Sequence, residues 1–246
     1  MAHAIVIGGT RGLGREIVKI FSAVGHTVSV IGRRSPEDSD RAIVGVKHWI
    51  DDLSPGGNVN ELIDIISNER GPFNYLVFCQ RYRGSGDNWD GEINVSLSLT
   101  KRFVEASLGH FDPNGDKSVV FVSSVFGDFV GEGQALSYHV AKAGINQMMR
   151  YYAVNLAHRG IRFNAITPFT FLKDESKEFY LKNKPLYDLY QKIVPLGRMA
   201  TAGDCAQAIS FLCSQQSSFI NGQNIYVDGG LSLVWPETLA RKITSL

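Results

Sequence analysis

Much of what would set this chain apart from an ordinary soluble domain is missing from it. Its three cysteines, Cys79, Cys205 and Cys213, are odd in number and scattered. That excludes a disulfide framework and suits reduced thiols in a cytoplasm. No apolar run approaches the roughly 18 residues that span a bilayer. Neither sign of charge dominates: 25 Lys and Arg face 24 Asp and Glu, for a formal net charge of +1. Bulk electrostatics therefore argues for neither a nucleic-acid nor a membrane-surface partner. The 6 histidines show no metal-ligand spacing, so no metal is expected. Linkers, low-complexity tracts and internal repeats are missing too. A signal peptide is not expected either, because Ala4-Ile-Val-Ile7 already reads as a strand running into glycines.

What is present has a clear rhythm. Strand patterns fall at Ala4–Ile7, Thr27–Ile31, Val44–Trp49, Tyr75–Phe78, Ser118–Ser123, Arg162–Ile166 and Asn224–Val227. Helical periodicity falls at Leu13–Val24, Asn60–Glu69, Ile93–Leu108, Ser137–His158 and Asp204–Leu212. Val119-Val-Phe-Val122 is a continuous apolar run, the mark of a strand covered on both faces. Alternating β and α segments predict an α/β fold: a doubly wound Rossmann-type domain spanning 1–246, a parallel seven-stranded sheet with helices on both faces. The one break in rhythm is Phe169–Pro195, rich in aromatics and in Lys and Glu.

The first strand runs into Gly8-Gly-Thr10-Arg11-Gly12-Leu13-Gly14 and then a helix. Gly8 permits the tight turn, Gly12 lets backbone approach a pyrophosphate, and Gly14 lets helix pack on sheet. The helix N-terminus then offers N–H groups and partial positive charge to phosphate. The spacing is Gly-x3-Gly-x-Gly rather than G-x-G-x-x-G. An NAD-binding turn carries an acid about 20 residues on, to hold the ribose 2′-hydroxyl. Here the second strand ends in Gly32-Arg33-Arg34 with no acid before Glu37. Arg11 and Arg33 are suited to a 2′-phosphate, so NADP(H) is favoured over NAD(H).

Tyr138-His-Val-Ala-Lys142 places a phenol and an ammonium at i and i+4, on one face of a helix. An ammonium beside a phenol favours the phenolate, which lets tyrosine exchange a proton with a carbonyl or alcohol. Ser124, after the Val119–Ser123 strand, belongs in the crevice at the carboxyl ends of the strands, where its hydroxyl can hold a substrate oxygen. The rival pairing, Ser124 as nucleophile with His139 as base, has no G-x-S-x-G elbow to support it.

With these motifs the chain resembles the classical short-chain dehydrogenase/reductase family, from about Ala4 to Gly230. The resemblance implies a dinucleotide-dependent oxidoreductase in which Ser124, Tyr138 and Lys142 are catalytic. It adds Asn94 as the helix-borne residue that steadies Lys142, and Asp52 with Leu53 near the adenine. Further matches are Gly160-Ile-Arg-Phe-Asn-Ala-Ile-Thr-Pro168, Pro195-Leu-Gly-Arg198 and Gly222-Gln-Asn-Ile-Tyr-Val-Asp-Gly-Gly230. A homodimer or homotetramer through the Ser137-containing helix and the C-terminal region is implied as well. Three positions depart from the pattern: Ile7 for Thr, Phe78-Cys79-Gln80-Arg81 for Asn-Asn-Ala-Gly, and Phe169 after Pro168 for Gly. The expected function is interconversion of a ketone and a secondary alcohol, the substrate a small molecule such as a sugar or another biosynthetic intermediate. The alternative is a non-catalytic dinucleotide-binding sensor or scaffold. An extended-type epimerase would need a further C-terminal domain beyond Leu231–Leu246. Phe169–Pro195 reads either as a substrate lid or as an amphipathic helix pair whose aromatics pack on the sheet.

Overall fold

The computed structural model describes residues 1–51, 57–84 and 86–244. Its strands are β1 His3–Ile7, β2 Thr27–Gly32, β3 Val46–Ile50, β4 Tyr75–Phe78, β5 Lys117–Val122, β6 Ile161–Pro168, β7 Phe171–Leu172, β8 Ala200–Thr201 and β9 Asn224–Val227. Helices are α1 Gly12–Ala23, α2 Asp38–Arg41, α3 Val59–Arg70, α4 Trp89–Ile93, α5 Leu99–Ser107, α6 Leu136–Asn155, α7 Asp174–Lys182, α8 Lys184–Ile193, α9 Ala202–Leu212 and α10 Pro236–Thr244. Seven strands form one sheet in the order β3-β2-β1-β4-β5-β6-β9, and every pairing is parallel. The order reverses between β1 and β4, which opens a crevice outside the carboxyl ends of those strands. Ile7 sits beside Phe78 in that register.

Both faces of the sheet are covered, so the central strands carry apolar side chains throughout. On one face, α3, α5 and α6 pack over an aromatic row in which Phe78 stacks on Phe121 at 5.1 Å. On the other, α1 and α9 bury Ile17, Val18, Phe21, Ala206 and Ile209. Helix α9 starts where Thr201 and Asp204 cap each other. The Asp204 N–H donates to the Thr201 hydroxyl at 3.2 Å, and the Thr201 N–H to the Asp204 carboxylate at 2.7 Å.

Some expected boundaries move. The third strand is shifted toward its C-terminal end, and the sixth runs longer because it pairs with both β5 and β9. The helix expected over Ile93–Leu108 begins earlier, at Trp89, and is interrupted by a π-helical turn at Asn94–Ser98 before α5. Apolar periodicity does not register one such inserted turn. Helix α6 stops at Asn155, and a 3₁₀ turn takes the chain on to Arg159. The 169–195 segment holds β7, α7 and α8. Its aromatics pack largely on one another, as in the edge-to-face contacts of Tyr190 with Phe169 at 5.7 Å and with Tyr180 at 5.9 Å.

Candidate active site

A cleft of about 1020 Å³ opens at the carboxyl ends of β1, β4, β5 and β6. Gly8, Thr10, Arg11, Gly12, Leu13 and Gly14 line one end of it. The glycines there are sterically required. A Cβ on Gly8, where φ is +81°, would lie 2.7 Å from the Gln80 backbone nitrogen. One on Gly14 would run into the Gly8 carbonyl. Gly12, at φ +51°, instead faces the cleft, with the side chains of Lys173 and Glu175 about 3.5 Å from where its Cβ would stand. Backbone at the start of α1 is therefore open to a pyrophosphate, and the dinucleotide fits the residues present. Thr10 packs against Gly32 at the end of β2.

Arg33 and Arg34, just beyond β2, are exposed along the same wall. Glu37 turns away: its carboxylate pairs with Arg15 at 2.9 Å, and Arg15 also holds the buried Asp40 at 2.9 Å. Asp52 and Leu53 lie outside the described residues.

Ser124, Tyr138 and Lys142 come together in the cleft. Lys142 is buried, and its ammonium donates to the Val122 carbonyl at the end of β5, 2.9 Å away. That contact sets the ammonium 5.5 Å from the centre of the Tyr138 ring. The Ser124 hydroxyl accepts the Phe126 N–H at 3.3 Å, capping a 3₁₀ turn, and among the described residues no acceptor takes its own proton, which can donate into the cleft. Phe126 meets the Tyr138 ring edge-on at 6.3 Å. Asn94 lines the cleft at the first residue of the π-helical turn, and no hydrogen bond joins it to Lys142 among the described residues. His139 is engaged elsewhere. Its Nε2 accepts from the Gly131 N–H at 3.0 Å and its Nδ1 meets the Ala135 carbonyl at 2.8 Å, so it is no base for Ser124.

The departing segment after β4 shows what replaced the small residues. The Cys79 N–H donates to the Ile7 carbonyl at 2.8 Å, and burial pushes the Cys79 thiol up to about 12, so it holds its proton. The Gln80 amide donates to Thr100 at 2.8 Å, which ties its side chain to α5. Arg81 projects toward Tyr138, its guanidinium carbon 5.6 Å from the ring centre. In the sequence this segment stands out only as a departure from the family pattern, and its charge goes unweighed. Arg81, Arg83 and Lys173 all line the cleft, where Glu175 is the one carboxylate among the described residues. The signal was legible in Arg81-Tyr-Arg83, but only the fold brings Arg81 to Tyr138 and Arg83 to the same cleft.

Comparison with known proteins finds relatives along nearly the whole chain. A family profile described as Enoyl-(Acyl carrier protein) reductase matches residues 8–232. The chain is 31% identical to a 3-oxoacyl-(acyl-carrier-protein) reductase of Chlamydia pneumoniae, over 93% of this chain and 96% of that one. It is 25% identical to glucose 1-dehydrogenase 2 of Bacillus subtilis, over 94% of each. Among solved structures, the ligand-free aldohexose dehydrogenase of Thermoplasma acidophilum superposes with a TM-score of 0.84 at 25% identity, covering 96% of this chain and 95% of that one.

Proposed function

Because the chain belongs to the classical short-chain dehydrogenase/reductase family, and so is an NAD(P)-dependent oxidoreductase, we propose that it interconverts a ketone and a secondary alcohol, with NADP(H) favoured over NAD(H) and reduction the favoured direction. The observation that carries this reading is the meeting of Ser124, Tyr138 and Lys142 in one cleft with the glycine turn. The nicotinamide, when bound, supplies the hydride for the substrate carbon. The chain's own residues handle the oxygen and its proton. Tyr138 donates a proton to the substrate oxygen. Lys142, fixed by the Val122 carbonyl, favours the phenolate that remains and serves the nicotinamide ribose as well. Ser124 holds the substrate oxygen with its free proton, and Asn94 supports Lys142 from the cleft wall. Gly8, Gly12, Gly14, Thr10, Leu13 and Arg11 hold the dinucleotide phosphates, Arg33 the 2′-phosphate, and Asp52 with Leu53 the adenine.

The 169–195 segment acts as the substrate lid, since Phe169, Phe171 and Tyr180 line the cleft. The substrate is a small carbonyl compound, sugar derivatives among the first to try. The three cysteines are unpaired, in keeping with a cytoplasmic enzyme, and no described helix is long and apolar enough to cross a membrane. The enzyme acts as a homodimer or homotetramer.

Stopped-flow NADPH oxidation across a panel of carbonyl and sugar compounds tests the chemistry. Positioned acid–base catalysis contributes about 100- to 10,000-fold, so Tyr138→Phe should lose at least about 100-fold in turnover while still binding cofactor. Near wild-type turnover of that variant would remove Tyr138 from the chemistry and favour a binding scaffold.

A further inference from the structure

The cleft holds more positive charge than the dinucleotide accounts for. Arg11, Arg33 and Arg34 stand at the glycine turn and at the end of β2, where phosphates are expected, and Lys142 serves Tyr138. Arg102 is tied to the Gly57 carbonyl, which leaves Arg81 at the reacting end, with Arg83, which also feels Arg34 and Arg11, and Lys173, which lies beside Gly12. None of the three forms an ion pair among the described residues. Arg81 borders the reacting end of the site, 5.6 Å from the Tyr138 ring centre. Lys173 is half-buried at the mouth of the lid, its ammonium 4.7 Å from the Phe171 ring centre. The three cations crowd one another. Burial lowers the Lys173 ammonium from its usual value, and Arg81 and Arg83 lower it further. Burial and then Arg81, with Arg34 and Arg11 behind it, do the same to Arg83, while Glu175 partly offsets both. Like charges gathered in a partly desolvated cleft are unfavourable by themselves, and an anion among them removes the cost.

Resting on the hydride-transfer reading above, we propose that the substrate carries a carboxylate close to its carbonyl group, held by the Arg81 guanidinium within the positive field of Arg83 and Lys173. Tyr138 and Arg81 adjoin, so a carbonyl oxygen at the phenol leaves room for only a short link to the anion. A carboxylate joined directly to the carbon chain suits that link, and the guanidinium fork pairs with it through two parallel hydrogen bonds. A phosphate ester reaches further from its carbonyl. The substrate class is thus a short oxo acid.

Protein loaded with NADP⁺, which cannot reduce a carbonyl, is titrated by calorimetry with short oxo acids, their ethyl esters, and a ketone phosphate of similar size. The best-binding acid should exceed its ester by about tenfold or more, since a charge-assisted pair is lost in the ester. Arg81→Ala should erase that gap and Arg81→Lys restore part of it, with NADP⁺ affinity within about threefold of the parent protein. Melting curves check that each variant is folded. An ester binding as tightly as its acid overturns the proposal, as does a ketone phosphate binding better than every acid, or no acid binding below about 10 mM. Arg81→Ala weakening NADP⁺ while leaving the acid–ester gap intact overturns it too, because Arg81 would then serve the cofactor phosphates. NADPH oxidation by the same compounds separates the two readings. An acid that binds through Arg81 without being reduced leaves this inference standing and removes hydride transfer. Preferred reduction of the esters does the reverse.

Discussion

At the scale of single residues, the proposed preference for NADP(H) turns on where two charges point. Glu37 is the first acid after β2, yet its carboxylate is held by Arg15 at 2.9 Å. Arg33 lines the cleft on the side where a 2′-phosphate would lie. Reversing that charge places a carboxylate against a phosphate. Arg33→Asp should therefore weaken NADPH by about tenfold or more and affect NADH much less, read by calorimetry. A parent protein that prefers NADH would overturn the assignment. The pattern Tyr138 to Lys142 was legible because helix geometry alone puts i and i+4 on one face. The neighbourhood of Arg81 was not, because its approach to Tyr138 joins segments far apart in the chain.

At the scale of elements, long apolar runs announced the strands, and their centres needed no tertiary information. Their ends did, since pairing partners decide where a strand stops. Helices α7 and α8 escaped a firm assignment because their aromatics satisfy one another rather than a single buried face. The Gly160–Pro168 motif proves to be a structural tie. Arg162, buried in β6, donates to the Leu212 carbonyl at 3.0 Å, the Ser217 hydroxyl at 2.8 Å and the Asp116 carboxylate at 3.0 Å. It thereby fastens the end of α9 to the sheet. Removing one partner of a buried charge network costs about 3–5 kcal/mol, so Arg162→Leu should lower stability by that order in urea unfolding. A loss under about 1 kcal/mol, the range of surface pairs, would show the network to be dispensable.

At the scale of the molecule, the outer face of α6 stands unused by the core: Val140, Tyr151 and Val154 are exposed. Such a face suits the expected association of identical chains. Light scattering at micromolar concentration should give a dimer or tetramer, and a stable monomer would defeat that part of the proposal. Stability should also depend on pH through three histidines. Burial holds His3, His26 and His48 below their ordinary 6.5. His3 is the most enclosed, with Nε2 2.9 Å from the Ser29 hydroxyl and Nδ1 3.1 Å from the Gly71 carbonyl, contacts a neutral ring satisfies. A folded value below the unfolded one means that the unfolded chain binds protons first as pH drops. The contribution is whole above 6.5 and is lost as pH falls through the folded values. The unfolding temperature should fall between about pH 7 and pH 5, and His3→Gln should flatten that fall. A profile unchanged by His3→Gln would place the loss elsewhere.

Sequence alone determined the architecture, the glycine turn and the tyrosine–lysine pair, because each is written in local periodicity or in short spacings that backbone geometry translates directly. The tertiary structure decided which of those residues meet. It seated Lys142 on the Val122 carbonyl, turned Glu37 away from the site, and brought Arg81 from the loop after β4 beside Tyr138, with Arg83 and Lys173 lining the same cleft. The Lys142 seat and the approach of Arg81 to Tyr138 are contacts between segments distant in sequence. They exist only because the crossover between β1 and β4 brings four strand termini to one crevice, and no local pattern in the chain encodes that convergence.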